Sequence, residues 1–333
     1  MNGYERYINT LRGAPVDFLP RTPILMQFAA EYICSNYAAF ASDFRVLVRA
    51  NERCAGDFGI DQLSCISDPY RETQGFGAEI EYMPDGPPRS SHPLQDRKDL
   101  SALARPDPAC SIRMRDRLRA VEAYRANARG EYSVLGWIEG PAAEAADLRD
   151  VTTFLVDLME DKKFAGELMD LCVEAAIAFA RAQVNAGADT VGIGDAIASQ
   201  IDPDTYEQMI QPREKRIVQA IKSMGAFVKL HICGNITHLL PGIADLGVDV
   251  LDVDHMVSLA AVRRAVGGRV AITGNMDPVS VVMKGTPTLI KDAVRHCYEQ
   301  AGNPYMVNAG CEIPAKTPLE NLRALCAPLP YRP

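Results

Sequence analysis

Short apolar runs recur along the chain, each ending in polar residues or glycine and each followed by a stretch with helical spacing. Eight such runs stand out: Pro23–Phe28, Gln62–Ser67, Ser133–Ile138, Thr190–Gly194, Phe227–His231, Val248–Val253, Arg269–Thr273 and Tyr305–Ala309. Most are near-continuous in Val, Ile and Leu, the pattern of strands buried on both faces. Between them, Asp43–Asp57 and Arg113–Ala128 place apolar residues at intervals of three and four among charges. Asp150–Asn185 is too long for one helix and is expected to break near Glu160-Asp161, while Asp204–Met224 and Thr288–Gln300 follow prolines that suit helix starts. Eight strands alternating with helices predict an α/β fold, a (β/α)8 TIM barrel over residues 1–333 with an N-terminal helical extension. An open doubly wound sheet is the alternative. Thr73–Arg105, rich in Pro and Gly, fits neither element and reads as an insertion over one end of the barrel, with a small hairpin around Glu79–Arg89.

In a barrel the chemistry gathers where strands end. The polar residues at those ends are Gln27, Asp68, Glu139, Asp195, His231, Cys233, Asp254, His255, Asn275, Asp277, Cys311 and Glu312. The fifth run closes as Leu230-His231-Ile232-Cys233-Gly234-Asn235. Residues i and i+2 of a strand share a side, so His231 and Cys233 can converge on one ion. Cys311 closes the eighth run after Gly310, and a barrel brings both ends to the same mouth. His231, Cys233 and Cys311 thus form a three-ligand set suited to zinc, with Asp254 the nearest candidate for a displaceable fourth. Asp195 is a candidate base or substrate contact, with a helix cap the competing role. Taken singly, His-x-Cys is more often structural, and the remaining seven cysteines are assigned to packing. The Gly192-x-Gly194 pair lacks the third glycine of a dinucleotide site, and His238 and His255 default to surface or capping roles.

A net charge of −8 without a basic block disfavours nucleic acid and anionic membranes as partners. No apolar run approaches the ~18 residues of a membrane span, and the start of the chain lacks the order of a secretion signal. Nine scattered cysteines point to reduced thiols and a cytoplasmic setting.

These motifs resemble the uroporphyrinogen decarboxylase superfamily over nearly the whole chain, from Tyr4–Gly13 and Asp17-Phe18-Leu19-Pro20-Arg21-Thr22-Pro23 to Cys311-Glu312-Ile313-Pro314. In the decarboxylases the first strand leads into Met-Arg-Gln-Ala-Gly-Arg, whose arginines hold tetrapyrrole carboxylates. Here the stretch is Met26-Gln27-Phe28-Ala29-Ala30-Glu31, and Gln27 and Glu31 stand in place of the arginines. His-x-Cys and the later Cys instead resemble the corrinoid-dependent zinc methyltransferases, such as the methylcobamide:coenzyme M enzymes. That resemblance implies Zn²⁺ on His231, Cys233 and Cys311, and methyl transfer from a methylcobalamin-type corrinoid, carried by a small partner protein, to a small-molecule thiol. Within it, Asp195 and Asp254 are the catalytic candidates, and Gln27 and Asn275 the candidates for cofactor contact. A structural zinc, methyl transfer to tetrahydrofolate and a lyase on another carboxylated substrate stay open, as does the choice between monomer and homodimer.

Overall fold

The computed structural model describes residues 1–333. Nine strands form: β1 (Gln62–Ser64), β2 (Ile80–Glu81), β3 (Arg89–Ser90), β4 (Ser133–Glu139), β5 (Thr190–Gly194), β6 (Phe227–Ile232), β7 (Val250–Val253), β8 (Ala271–Gly274) and β9 (Tyr305–Met306). Seven of them pair in parallel in the order β1-β4-β5-β6-β7-β8-β9. Seven of the eight predicted runs therefore hold these strands.

The first run does not. Pro23–Phe28 is no strand, and a helix already begins at Gln27 (Gln27–Tyr32). The ring is closed just upstream instead. Val307 N–H donates to the Pro20 carbonyl at 2.7 Å and Thr22 N–H to the Val307 carbonyl at 2.9 Å, while Asp61 N–H donates to the Arg21 carbonyl at 2.9 Å. The segment around Arg21 so lies between the last strand and the first. Pro20 and Pro23 have no N–H to give, which keeps it from becoming a regular ladder. Buried ion pairs hold it in place. The Asp61 carboxylate, 2% exposed, accepts from Arg21 Nε at 3.0 Å and from Arg6 Nη1 at 2.5 Å. The architecture is an α/β barrel of the (β/α)8 type, not an open sheet.

The helical expectations hold with shifted ends, except that Asp204–Met224 passes through a π-helical turn at Tyr206–Ile210 before Gln211–Ser223. Phe44–Phe58, Ile112–Ala128 and Pro287–Ala301 form, and the long stretch divides at Asp161 into Val151–Glu160 and Lys162–Ala186. Asp161 ends one helix with its N–H and caps the next by accepting from Phe164 N–H at 3.2 Å. The opening helix, Gly3–Leu11, seals the N-terminal end of the barrel. Its Tyr7 and Ile8 pack on Val250, Ala271 and Met306, and Tyr7 OH lies 3.0 Å from Thr190 Oγ1. The 73–105 insertion carries the expected hairpin, with β2 and β3 antiparallel. It folds over the opposite end, where Gln27 Nε2 donates to the Asp85 carbonyl at 3.3 Å. No helix is long and apolar enough to cross a membrane.

Candidate metal centre

β6 is buried along nearly all its length, and its alternation sends Lys229, His231 and then Cys233 to the barrel interior in turn. The lowest layer is a buried ion pair. Lys229 Nζ lies 2.6 Å from Asp252 Oδ2, and Asn308 Nδ2 donates to both Asp252 oxygens at 3.2 and 3.3 Å. Above it, His231 directs Nδ1 toward Asp252, 3.8 Å away, and Nε2 toward the mouth. Nε2 is 3.0 Å from Cys233 Sγ, and Cys233 Sγ is 3.8 Å from Cys311 Sγ. The three ligand atoms all lie within 4.8 Å of one another.

Two glycines make this convergence possible. Gly234 has φ +89°, the left-handed turn that ends β6 just past Cys233. Gly310 serves a different purpose, since its φ is not positive. A Cβ there would sit 2.5 Å from His255 N, so only glycine lets the chain bearing Cys311 pass the end of β7 so closely.

The donor set fits zinc. Two sulfurs on a tetrahedral zinc at ~2.3 Å are separated by about 3.8 Å, the spacing found here. His231 Nδ1 is buried without a hydrogen-bond partner, on the side away from the sulfurs, where a carboxylate or carbonyl usually orients a ligating imidazole. Without metal the cluster is protonated unevenly. The hydrogen bond from Cys233 draws the Cys311 thiol down to about 4 against the effect of burial, with His231 adding to it. Cys233 is pushed up, by that same bond and by burial. Burial alone would lower the His231 pKa, but the neighbouring Cys311 and Asp252 outweigh it and raise it. A metal would displace at least the Cys233 proton, so affinity should rise with pH.

The cluster forms one wall of a cavity of about 160 Å³ at the strand ends. Ile24, Met26, Ile66 and Trp137 give it apolar sides, and Asp68, Glu139 and Glu312 are its acids. Asp68 is clamped by Arg113, whose Nη1 lies 2.6 Å from Oδ1, and that pairing overcomes burial to hold its carboxyl low. Glu139 accepts from Arg71 and from Trp137 Nε1 at 3.2 Å, yet burial keeps its carboxyl well above the usual range. Glu312 accepts from Gln27 N–H at 3.0 Å, and burial raises it to about 7.

The other sequence candidates stand apart from the three ligands. Asp195 is fully buried and does not line the cavity; it accepts from Ala143 N–H at 2.7 Å and Ala142 N–H at 3.4 Å. Of the two roles weighed for Asp195, the contacts are those of a cap, here on the helix Pro141–Arg149. Asp254 accepts from Gly234 N–H at 2.7 Å and meets His255 Nδ1 at 2.6 Å, gripping the turn behind Cys233. Gln27 sits at the rim, its side chain given to Glu31 at 2.8 Å. Asn275 donates to the carbonyls of Val257 and Asp254 at 2.5 and 3.3 Å, bracing the loop after β7 away from the cavity. Sequence reasoning gave no role to Trp137, Arg71 or Asp252. Lys229 and His231 share a face of β6, and the register His231↔Asp252 is what brings Asp252 of β7 against them.

Residues 2–328 match the family model described as uroporphyrinogen decarboxylase (URO-D). The chain is 28% identical to the methylcobamide:CoM methyltransferase MtaA of Methanosarcina barkeri, covering 97% of this chain and 96% of the relative. It is 29% identical to a uroporphyrinogen decarboxylase of an Anaeromyxobacter strain, with 96% of each chain covered. Among solved structures, a methyltransferase from Methanosarcina mazei superposes with a TM-score of 0.89 at 25% identity over 98% of both chains. A B12-independent methionine synthase from a Shewanella strain shares the fold alone, with a TM-score of 0.57 at 14% identity over 93% of this chain and 95% of that one. From the family match across its length, the chain belongs to the uroporphyrinogen decarboxylase family.

Proposed function

We propose that this protein is a methyltransferase that moves a methyl group from a methylated corrinoid, carried by a small partner protein, to a small thiol activated at a zinc site of His231, Cys233 and Cys311. The observation that carries the reading is the convergence of those three ligand atoms within 4.8 Å on the wall of a cavity at the barrel mouth. The likeness to methylcobamide:CoM methyltransferases along nearly the whole chain supports it. A zinc ion held there supplies Lewis acidity, which keeps a thiol deprotonated at neutral pH.

The chain's own residues do the rest. His231 offers Nε2 because its ring is held between the sulfurs and the Lys229–Asp252 layer. Cys233 and Cys311 supply two anionic ligands, which moderate the metal's charge and leave electron density on an incoming sulfur. Asp254 fixes the Gly234 turn and with it the aim of Cys233. Trp137, Met26 and Ile66 keep water from the reacting sulfur. The sulfur attacks the methyl carbon. A C–S bond would form, and the C–Co bond of the corrinoid substrate would break with its electron pair left on cobalt, Co(III) becoming Co(I).

A lyase acting on a polycarboxylate fits the wall less well. No lysine or arginine lines it, and Gln27 and Glu31 stand where arginines would hold carboxylates. Transfer to tetrahydrofolate would leave the thiol-activating ligand set without a task. The test is zinc content by elemental analysis together with demethylation of methylcobalamin, followed by absorbance in the presence of thiols. The wild-type protein should hold one zinc per chain. Cys233→Ala and Cys311→Ala should lose it, and their rates should fall by more than about a hundredfold. Full methyl transfer by a zinc-free Cys311→Ala protein would overturn the reading.

A further inference from the structure

The cavity beside the three ligands is unusual in what it offers the rest of a substrate. Asp68, Glu139 and Glu312 line it, and no lysine or arginine does. The cations nearby are already engaged. Both Nη atoms of Arg113 go to Asp68, at 2.6 and 2.5 Å, and Lys229 lies beneath the imidazole on Asp252. Arg71 keeps Nε and Nη1 without hydrogen-bond partners, but it is fully buried behind the wall between Glu72 and Glu139. Glu312 has the opposite disposition. One of its oxygens takes the Gln27 N–H, and the other has no protein partner while the residue faces the cavity.

An anionic tail placed here would surrender its water and meet acceptors. A tail with an N–H or O–H group would supply the donor that the free Glu312 oxygen lacks. We infer that the acceptor thiol carries no anionic group and presents a hydrogen-bond donor, an ammonium by preference, to Glu312 beside Cys311. This rests on the thiol-acceptor reading above and separates this chain from relatives named for coenzyme M, whose tail is a sulfonate.

Three thiols of equal length test it: 2-mercaptoethylamine, 2-mercaptoethanol and 2-mercaptoethanesulfonate, titrated calorimetrically into the zinc-loaded protein. The aminothiol should bind at least tenfold more tightly than the sulfonate, with the alcohol between them. In Glu312→Gln, with zinc content checked by elemental analysis, that ratio should collapse toward one. Equal or tighter binding of the sulfonate by the wild-type protein would overturn the inference and leave the thiol reading intact. Failure of all three thiols to bind would overturn both. The wild-type series decides the matter even if the variant does not fold.

Discussion

Asp254 shows how much a single side chain's role depends on what it touches. Its position at a strand end made it a candidate ligand, yet one of its oxygens holds Gly234 N–H at 2.7 Å and the other faces His255. A carboxylate so engaged fixes the turn behind Cys233, and it is not among the residues whose ligand atoms cluster. Asp254→Ala should therefore retain about one zinc per chain while slowing methyl transfer by roughly 10- to 100-fold, the usual scale for residues that support a ligand. Elemental analysis beside a rate assay checks this, and loss of the metal would make Asp254 a ligand after all. His-x-Cys was legible as a pair because strand alternation is local. The capping role of Asp195 was not decidable, because the N–H groups it meets belong to Ala142 and Ala143, more than fifty residues upstream.

At the scale of the element, the barrel depends on a segment that is barely one. The stretch around Arg21 bridges the gap between β9 and β1 with a few hydrogen bonds, and prolines on either side prevent more. Side chains make up the difference: Asp61, at the start of β1, binds Arg21 through its backbone N–H at 2.8 Å and through its guanidinium, and also binds Arg6 of the opening helix. Removing one partner of such a buried group leaves charges without compensation, which typically costs 3–5 kcal/mol. Asp61→Ala should lower stability by about 3 kcal/mol or more, read as a shift in the denaturant midpoint. A change below about 1 kcal/mol would mean that backbone pairing alone closes the ring. The run Pro23–Phe28 misled because its apolar character is real but belongs to a turn and a helix start, where Phe28, Ala29 and Ala30 are buried.

Across the whole molecule, buried acids outnumber the cations that could pair with them near the mouth. Burial raises Asp147 to about 8 and Asp195 to about 7, and it lifts Glu139, Glu144 and Glu214 well above the usual range. In the unfolded chain these groups titrate near 4, so between pH 4 and 8 the native state binds more protons. The stabilisation is complete below about pH 4 for these groups and is lost as pH rises through their folded values, by roughly 1.4 kcal/mol per pH unit for each group still protonated. Asp68, held low by Arg113, works the other way only at strongly acid pH. The metal-free protein should accordingly melt at a lower temperature at pH 8 than at pH 6 by calorimetry; an unchanged or higher melting temperature at pH 8 would show that these acids are ionised in the native state. Such a network is invisible in a sequence, where Glu72, Glu139, Glu144 and Asp147 look like ordinary strand-end and helix residues. The sequence by itself determined the alternation of strand and helix, the break at Asp161, the hairpin within 73–105 and the residue types able to hold zinc, because each follows from local spacing, capping or ligand chemistry. Only the tertiary structure decided how the ring closes, which carboxylates face the cavity and which are consumed by arginines, and why residue 310 must be glycine. Those outcomes depend on contacts between residues far apart in the chain, and no local pattern records which of several similar side chains will meet.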